Sequence, residues 1–266
     1  MEHRTWAGEG GAIHYWVARG GPRWIAFTHG ACMDHGLFAP QVERFAGAYS
    51  VLVWDVPGHG RSRPYRGLTL RGAARELMTI LAAEGADHAH LVGQSMGGFI
   101  AQLAAREAPE HVRSITAVDS SPIQPRYYSA LDRGLLRWTP ALLRLYPERA
   151  LLRAIAEQVA VTEAGRAYAR EALATMGKAE VAAIMDAVAR GLAEVKDDAP
   201  LDAPVLIVYG EEDRTGRVRD YCRRWERAEG RTTVVLSGAG HNANMDDPEA
   251  FNAALAAFLA EVDAAG

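Results

Sequence analysis

Cysteine is scarce in this chain of 266 residues: there are only two, Cys32 and Cys222. They lie far apart, and neither sits in a C-x-x-C or Cys/His ligand spacing, which argues against a disulfide framework or a structural zinc site. Two free thiols fit a reducing, cytoplasmic compartment. Long apolar runs are also missing. No stretch of about 18 apolar residues without charge appears, so no membrane-spanning helix and no membrane partner are expected. Met1 to Gly20 scatters Trp6 and Trp16 among charged residues and glycines, without the basic start and apolar run of a signal peptide. Neither sign of charge dominates. A formal net charge of -4 exerts no general pull on nucleic acid, which is excluded as an expected partner. What is present is 49% hydrophobic and 23% charged residues, enough to bury one sizeable core. No heptad or isolated apolar stripe marks an oligomer interface.

Short β-rich runs bounded by turn residues recur in the first half, at Ala12 to Ala18, Trp24 to Thr28, Ser50 to Trp54, His90 to Gly93 and Ser114 to Val118. Helical spacing separates them, most clearly over Leu70 to Ala83, where Leu70, Ala73, Ala74, Leu77, Ile80 and Leu81 share one face, and over Gly98 to Glu107. Strands too apolar to face water, alternating with helices, predict an α/β fold with a mostly parallel sheet covered on both faces. The first hairpin-like pair is the candidate for an antiparallel exception. From Ser120 to Pro200 the strand signal gives way to Ala/Leu/Arg-rich helical stretches broken at Pro125, Pro140, Pro147, Gly165, Gly177 and Gly191, which predict roughly four short helices. Strands resume at Pro204 to Tyr209 and Thr232 to Leu236, with helices near Arg217 to Ala228 and Pro248 to Val262. The expected organisation is a core of residues 1–119 and 201–266 with a helical lid inserted at 120–200.

Gly93-Gln94-Ser95-Met96-Gly97-Gly98 stands directly after a predicted strand and before a predicted helix. A serine on such a sharp turn points out of the sheet, and glycines two residues to either side remove side chains that would clash. The Met96 N–H lies at the helix N-terminus, where partial positive charge stabilises a developing oxyanion. A hydroxyl needs a base. Of nine histidines, His241 follows the last strand on a glycine-rich loop at the sheet edge where ligand groups gather. Asp213 follows the preceding strand and is the expected orienting acid, giving the chain order Ser, Asp, His. Asp119, at the end of the strand before the insertion, is the alternative acid, or else a cap at the lid entrance. No metal or organic cofactor is required.

These residues together resemble the α/β-hydrolase superfamily, specifically its small lid-bearing serine esterases, lactonases and carbon–carbon bond hydrolases, over nearly the whole chain. Phe27-Thr28-His29-Gly30-Ala31 looks like the family's His-Gly turn, and Trp54-Asp55-Val56-Pro57-Gly58-His59-Gly60-Arg61-Ser62 resembles its Asp-x-x-Gly-x-Gly-x-Ser loop. The resemblance implies an oxyanion hole of the Ala31 and Met96 N–H groups, with Cys32 as the neighbouring candidate. It gives His29 no catalytic role, and Asp55 and His59 roles as loop braces. Serine at position 95 disfavours the dehalogenases and epoxide hydrolases of this fold, which carry aspartate there; cofactor-free peroxidases remain a secondary possibility.

After His241 the sequence departs from the family's commoner apolar residues, with Asn242 and Asn244 either lining a polar pocket or capping the final helix. The expected substrate is a small-molecule, largely apolar ester or lactone. Cys32, Tyr127 and Trp138 are candidate pocket residues, with Tyr128, Tyr146 and Tyr168 as further aromatics. Arg126, Arg133, Arg137, Arg144, Arg149 and Arg153 scatter over several helix faces and read as solvated surface. A thioesterase, a carbon–carbon hydrolase and a low-turnover ligand receptor would carry the same serine, histidine and aspartate.

Overall fold

A computed structural model describes residues 1–129, 131, 132, 134, 138, 142 and 145–265. Arg133, Arg137, Pro140 and Arg144 lie outside the described residues. Eight strands form one sheet: β1 (Glu2–Gly8), β2 (Gly11–Ala18), β3 (Trp24–Thr28), β4 (Ser50–Trp54), β5 (Ala89–Gln94), β6 (Val112–Val118), β7 (Val205–Gly210) and β8 (Thr232–Leu236). Their order across the sheet is β1-β2-β4-β3-β5-β6-β7-β8. β1 pairs antiparallel with β2, and β2 antiparallel with β4. From β4 onward every pairing is parallel.

The apolar runs explain the centre of this sheet. β3, β4, β5 and β7 are buried at every position, as strands covered on both faces must be. Each fully buried Val, Leu or Ile contributes roughly 1.5–3 kcal/mol, so a polar residue in one of these strands would cost far more than a loop change. Helices α1 (Ala39–Phe45), α2 (Leu70–Ala83) and α3 (Met96–Glu107) follow β3, β4 and β5. Thr69 caps α2, its hydroxyl accepting the Gly72 N–H at 3.0 Å. Glu84, just past α2, accepts from Arg4, Arg19 and the Tyr15 hydroxyl, which ties the helix to the antiparallel hairpin.

Between β6 and β7 the described helices are α4 (Glu148–Val159), α5 (Glu163–Leu173) and α6 (Lys178–Glu194). They pack on the core through specific contacts. A Cβ at Gly191 of α6 would meet the Leu70 side chain of α2 at 2.6 Å, so that side chain packs directly on the glycine backbone. The chain closes with α7 (Val218–Glu229), the four-residue α8 (Ala243–Asp246) and α9 (Pro248–Ala265). No described helix is long and apolar enough to cross a membrane. Because β3, β5, β6, β7 and β8 run parallel, the residues that follow them emerge at one edge of the sheet.

Candidate active site

Ser95 leaves β5 with φ 50° and ψ -114°, in the left-handed half of backbone space that a side chain rarely enters. The turn is tight enough to demand its flanking glycines. A Cβ at Gly93 would come within 2.2 Å of the Gly97 carbonyl oxygen, and one at Gly97 within 2.0 Å of the Thr28 carbonyl oxygen. The elbow is fixed from several sides. The Ser95 N–H donates to the Val118 carbonyl at 2.8 Å, and the Ser95 carbonyl accepts from the Ser120 hydroxyl at 2.8 Å and the Gly98 N–H at 3.0 Å. The Gln94 amide donates to the His241 carbonyl at 2.8 Å, joining the elbow to the histidine loop.

His241 and Asp213 are both buried, with Nδ1 of the imidazole 3.0 Å from Oδ2 of the carboxylate. The other Asp213 oxygen accepts the Thr215 N–H at 2.7 Å. Burial alone would push this carboxyl up, but the neighbouring His241 and the Thr215 hydrogen bond outweigh it and hold it below the usual carboxylate range. Asp119, fully buried at the end of β6 with φ 44°, accepts the Gly210 N–H at 2.8 Å and the Ala243 N–H at 3.2 Å. Burial first, and then the Asp213 charge, drive its carboxyl well above the ordinary value. Asp119, Asp213 and His241 present atoms within 4.8 Å of one another, the one such trio among the described residues. Backbone N–H groups and the imidazole already engage these carboxylates, so hydrogen bonds organise the cluster.

Ser95 and His241 line one cavity of about 260 Å³ together with Ala31, Cys32 and Met96. Cys32 sits in the turn after β3 with φ 65°, and burial pushes its thiol up to about 12, so it is a neutral wall and not a nucleophile. Aliphatic side chains from the insertion face the same space: Ile155 and Val159 from α4, and Val181, Met185 and Val188 from α6. Met33, Gln94, Gln158, Thr215 and Asn242 complete the wall.

The other sequence-selected residues lie elsewhere. Tyr127 is buried against α7, where its hydroxyl donates to Glu229 at 2.8 Å, and Trp138 is 67% exposed. Neither is among the cavity's lining residues: one hydroxyl is committed to a carboxylate and the other ring faces water. Tyr168 binds Asp34, Tyr128 is bonded to the Pro122 carbonyl, and Tyr146 is exposed. Both ring nitrogens of His29 serve the backbone, with Gly30 O at 2.8 Å and the Val56 N–H at 2.9 Å. Asp55 accepts the N–H groups of His35 and Arg61 and braces its loop. Arg126 pairs with Glu229 and Arg153 with Glu157.

Helical spacing does mark Val181, Met185 and Val188 as one apolar face, yet nothing in it says that this face meets Ser95. Asp246, which sequence reasoning passed over, proves central to the histidine loop. Its carboxylate accepts the N–H groups of Gly240 at 2.8 Å, Val161 at 3.0 Å and Thr162 at 2.9 Å, and the Thr162 hydroxyl at 2.6 Å.

Residues 25–254 match the family model described as the alpha/beta hydrolase family. A dihydrolipoyllysine-residue acetyltransferase component of the acetoin cleaving system from Cupriavidus necator is 29% identical, over 94% of this chain and 67% of that protein. A pimeloyl-[acyl-carrier protein] methyl ester esterase from Sodalis glossinidius is 28% identical over 92% of this chain and 96% of its own length. In fold, an enol-lactonase from Burkholderia xenovorans superposes with a TM-score of 0.80 at 21% identity, covering 97% of this chain and all 100% of the other. The strand order, the elbow and a match spanning most of the sequence agree: the chain belongs to the alpha/beta hydrolase family.

Proposed function

We propose that this chain is a serine hydrolase that cleaves a carboxylic ester or lactone through an acyl-enzyme, with residues 120–200 acting as a lid. One observation carries the reading: a serine on a strained elbow opens into the same cavity as a histidine whose Nδ1 is held 3.0 Å from a buried carboxylate. His241 takes the Ser95 proton as Oγ attacks the carbonyl carbon, and the carbonyl π electrons move to oxygen. The N–H groups of Ala31 and Met96 stabilise that oxyanion. Its collapse expels the alcohol, which His241 protonates, and leaves the acyl group on Ser95. Water, deprotonated by His241, then attacks the ester carbon, and collapse of the second tetrahedral intermediate breaks the bond to Ser95 Oγ, which takes the proton back from His241 as the acid is released. Asp213 keeps Nδ1 protonated and stabilises the imidazolium throughout.

The aliphatic strip from α4 and α6 suits a largely apolar acyl group. The esterase named among the relatives supports ester chemistry, and two buried free thiols accord with a reducing compartment such as the cytoplasm. The test is intact mass after exposure to a fluorophosphonate, with short-chain nitrophenyl ester turnover measured alongside. A single adduct and turnover, both lost in Ser95→Ala with folding retained, are expected. No adduct and no turnover in the native chain would replace this reading with that of a ligand receptor of the same fold.

A further inference from the structure

Asn242 follows His241 directly and is 1% exposed. Its place just before α8 is that of a helix cap, but its side chain makes no capping hydrogen bond. Asn244 has the structural role instead: its amide donates to the Leu37 carbonyl at 2.9 Å and to Gln41 at 3.2 Å. The Asn242 carboxamide lines the cavity, and its one side-chain partner among the described residues is the thioether of Met33, at 3.9 Å. A thioether is a weak acceptor, whereas a carboxamide offers two donors and a carbonyl. A buried amide this poorly satisfied costs stability unless something else meets it. Its backbone is also fixed, because the Asn242 N–H donates to the Val159 carbonyl at 2.6 Å, so the side chain cannot easily leave the cavity. Met33 belongs to the turn that carries Ala31, and Asn242 to the loop that carries His241. The amide therefore spans the two segments that flank Ser95.

We infer that Asn242 is a specificity residue that donates a hydrogen bond to a second oxygen of the substrate, near the scissile bond, so that the preferred ester or lactone is apolar in bulk but carries one further acceptor. This rests on the serine-hydrolase reading above. That oxygen can belong to the acyl chain or to the alcohol, and the two sources are separable. A site built to hydrogen-bond a substrate group discriminates against the analogue that lacks it, because its own buried amide is then left unpaired.

The experiment compares kcat/KM for ethyl hexanoate, ethyl 3-oxohexanoate and 2-methoxyethyl hexanoate in the native chain and in Asn242→Leu, with Asn242→Ala as a second variant should leucine disturb packing. Dividing native by variant values for each ester cancels the intrinsic reactivity of the esters. The expected result is a ratio about 10-fold larger for one of the oxygen-bearing esters than for ethyl hexanoate. The 3-oxo ester would place the acceptor on the acyl side, the methoxyethyl ester on the alcohol side. Equal ratios for all three, with Ser95 still labelled by the fluorophosphonate, would overturn the role of Asn242 alone. Loss of labelling and of all turnover in the native chain would overturn the hydrolase reading and this inference with it.

Discussion

The carboxylate of Asp246 accepts the backbone N–H of Gly240 at 2.8 Å, one residue before His241, and with the same oxygen accepts the Val161 N–H at 3.0 Å. The histidine loop and the α4–α5 junction of the insertion are thus held by one side chain, and Thr162 adds two further bonds to it.

Asp246→Ala removes every one of these acceptors and leaves the amides unpaired. Orphaning partly buried donors costs about 2 kcal/mol, which lowers the melting temperature by roughly 4–8 °C in a chain of this size. His241 loses its alignment as well, and kcat should fall about 10–100-fold, since small displacements of a catalytic group cost that much. Kinetics at a temperature where the variant is fully folded check the claim. A melting shift with unchanged kcat would make Asp246 merely structural.

Asp213 and Asp119 occupy the same buried space but meet the imidazole differently. Only Asp213 is hydrogen-bonded to His241 Nδ1; Asp119 faces two backbone N–H groups. Asp213→Asn should therefore lower kcat by about 10⁴, the scale seen when the orienting acid of a triad becomes an amide. Asp119→Asn should cost far less turnover. Equal losses would mean that the two acids share the role.

Asp119 also predicts a pH effect on stability. Its carboxyl is raised in the folded chain by burial and by Asp213, so the folded state holds the proton more tightly than the unfolded state, where a value of about 3.9 applies. The contribution is fully present below that value and is lost as the pH rises through the folded one. Asp119→Asn cannot ionise. The gap in melting temperature between native chain and variant should narrow from pH 5 to pH 8, and a constant gap would show that Asp119 is already ionised at pH 5.

Ser95 is held at φ 50° and ψ -114°, and the strain is separable from the chemistry. Glycine accepts this conformation and alanine does not. Ser95→Gly should raise the melting temperature by about 2–4 °C, the equivalent of about 1 kcal/mol, while Ser95→Ala leaves it near the native value. Neither variant should turn over ester. Identical melting temperatures would show that the elbow stores no strain.

The elbow, the histidine loop and the central strands were legible because each is a local pattern: an apolar run, a glycine pair around a serine, a residue just past a strand. β1 was not, because an edge strand with Glu2, His3 and Thr5 exposed and Arg4 half-buried carries none of the apolar signal of β3 or β5. The cavity wall was misread for another reason. Aromatic size suggested Trp138 and Tyr127, but the wall is built from Ile155, Val159, Val181, Met185 and Val188, and which face of a helix turns toward Ser95 is decided by packing across the insertion. The role of Asp246 depends on partners about 80 residues away in sequence, at Val161 and Thr162, and no spacing rule reaches them.

Two buried histidines give the last prediction. Burial pushes His29 down to about 4, and burial followed by the neighbouring His29 pushes His59 down to about 3. The geometry agrees for His29: Nδ1 donates to the Gly30 carbonyl, so Nε2 must stay unprotonated to accept the Val56 N–H. Unfolded histidine titrates near 6.5, so as the pH falls below about 6.5 the unfolded chain takes up protons that the folded chain refuses. The stability these groups provide is present above that pH and is lost on the way down toward their folded values. Melting temperature should therefore fall between pH 7 and pH 4.5. His59→Phe keeps the ring that meets His29 edge-on at 5.1 Å but loses the bond to the Pro57 carbonyl, so it should be less stable at pH 7. Its drop between the two pH values should nonetheless be smaller than that of the native chain, and an equal drop would mean that His59 is protonated in the folded state.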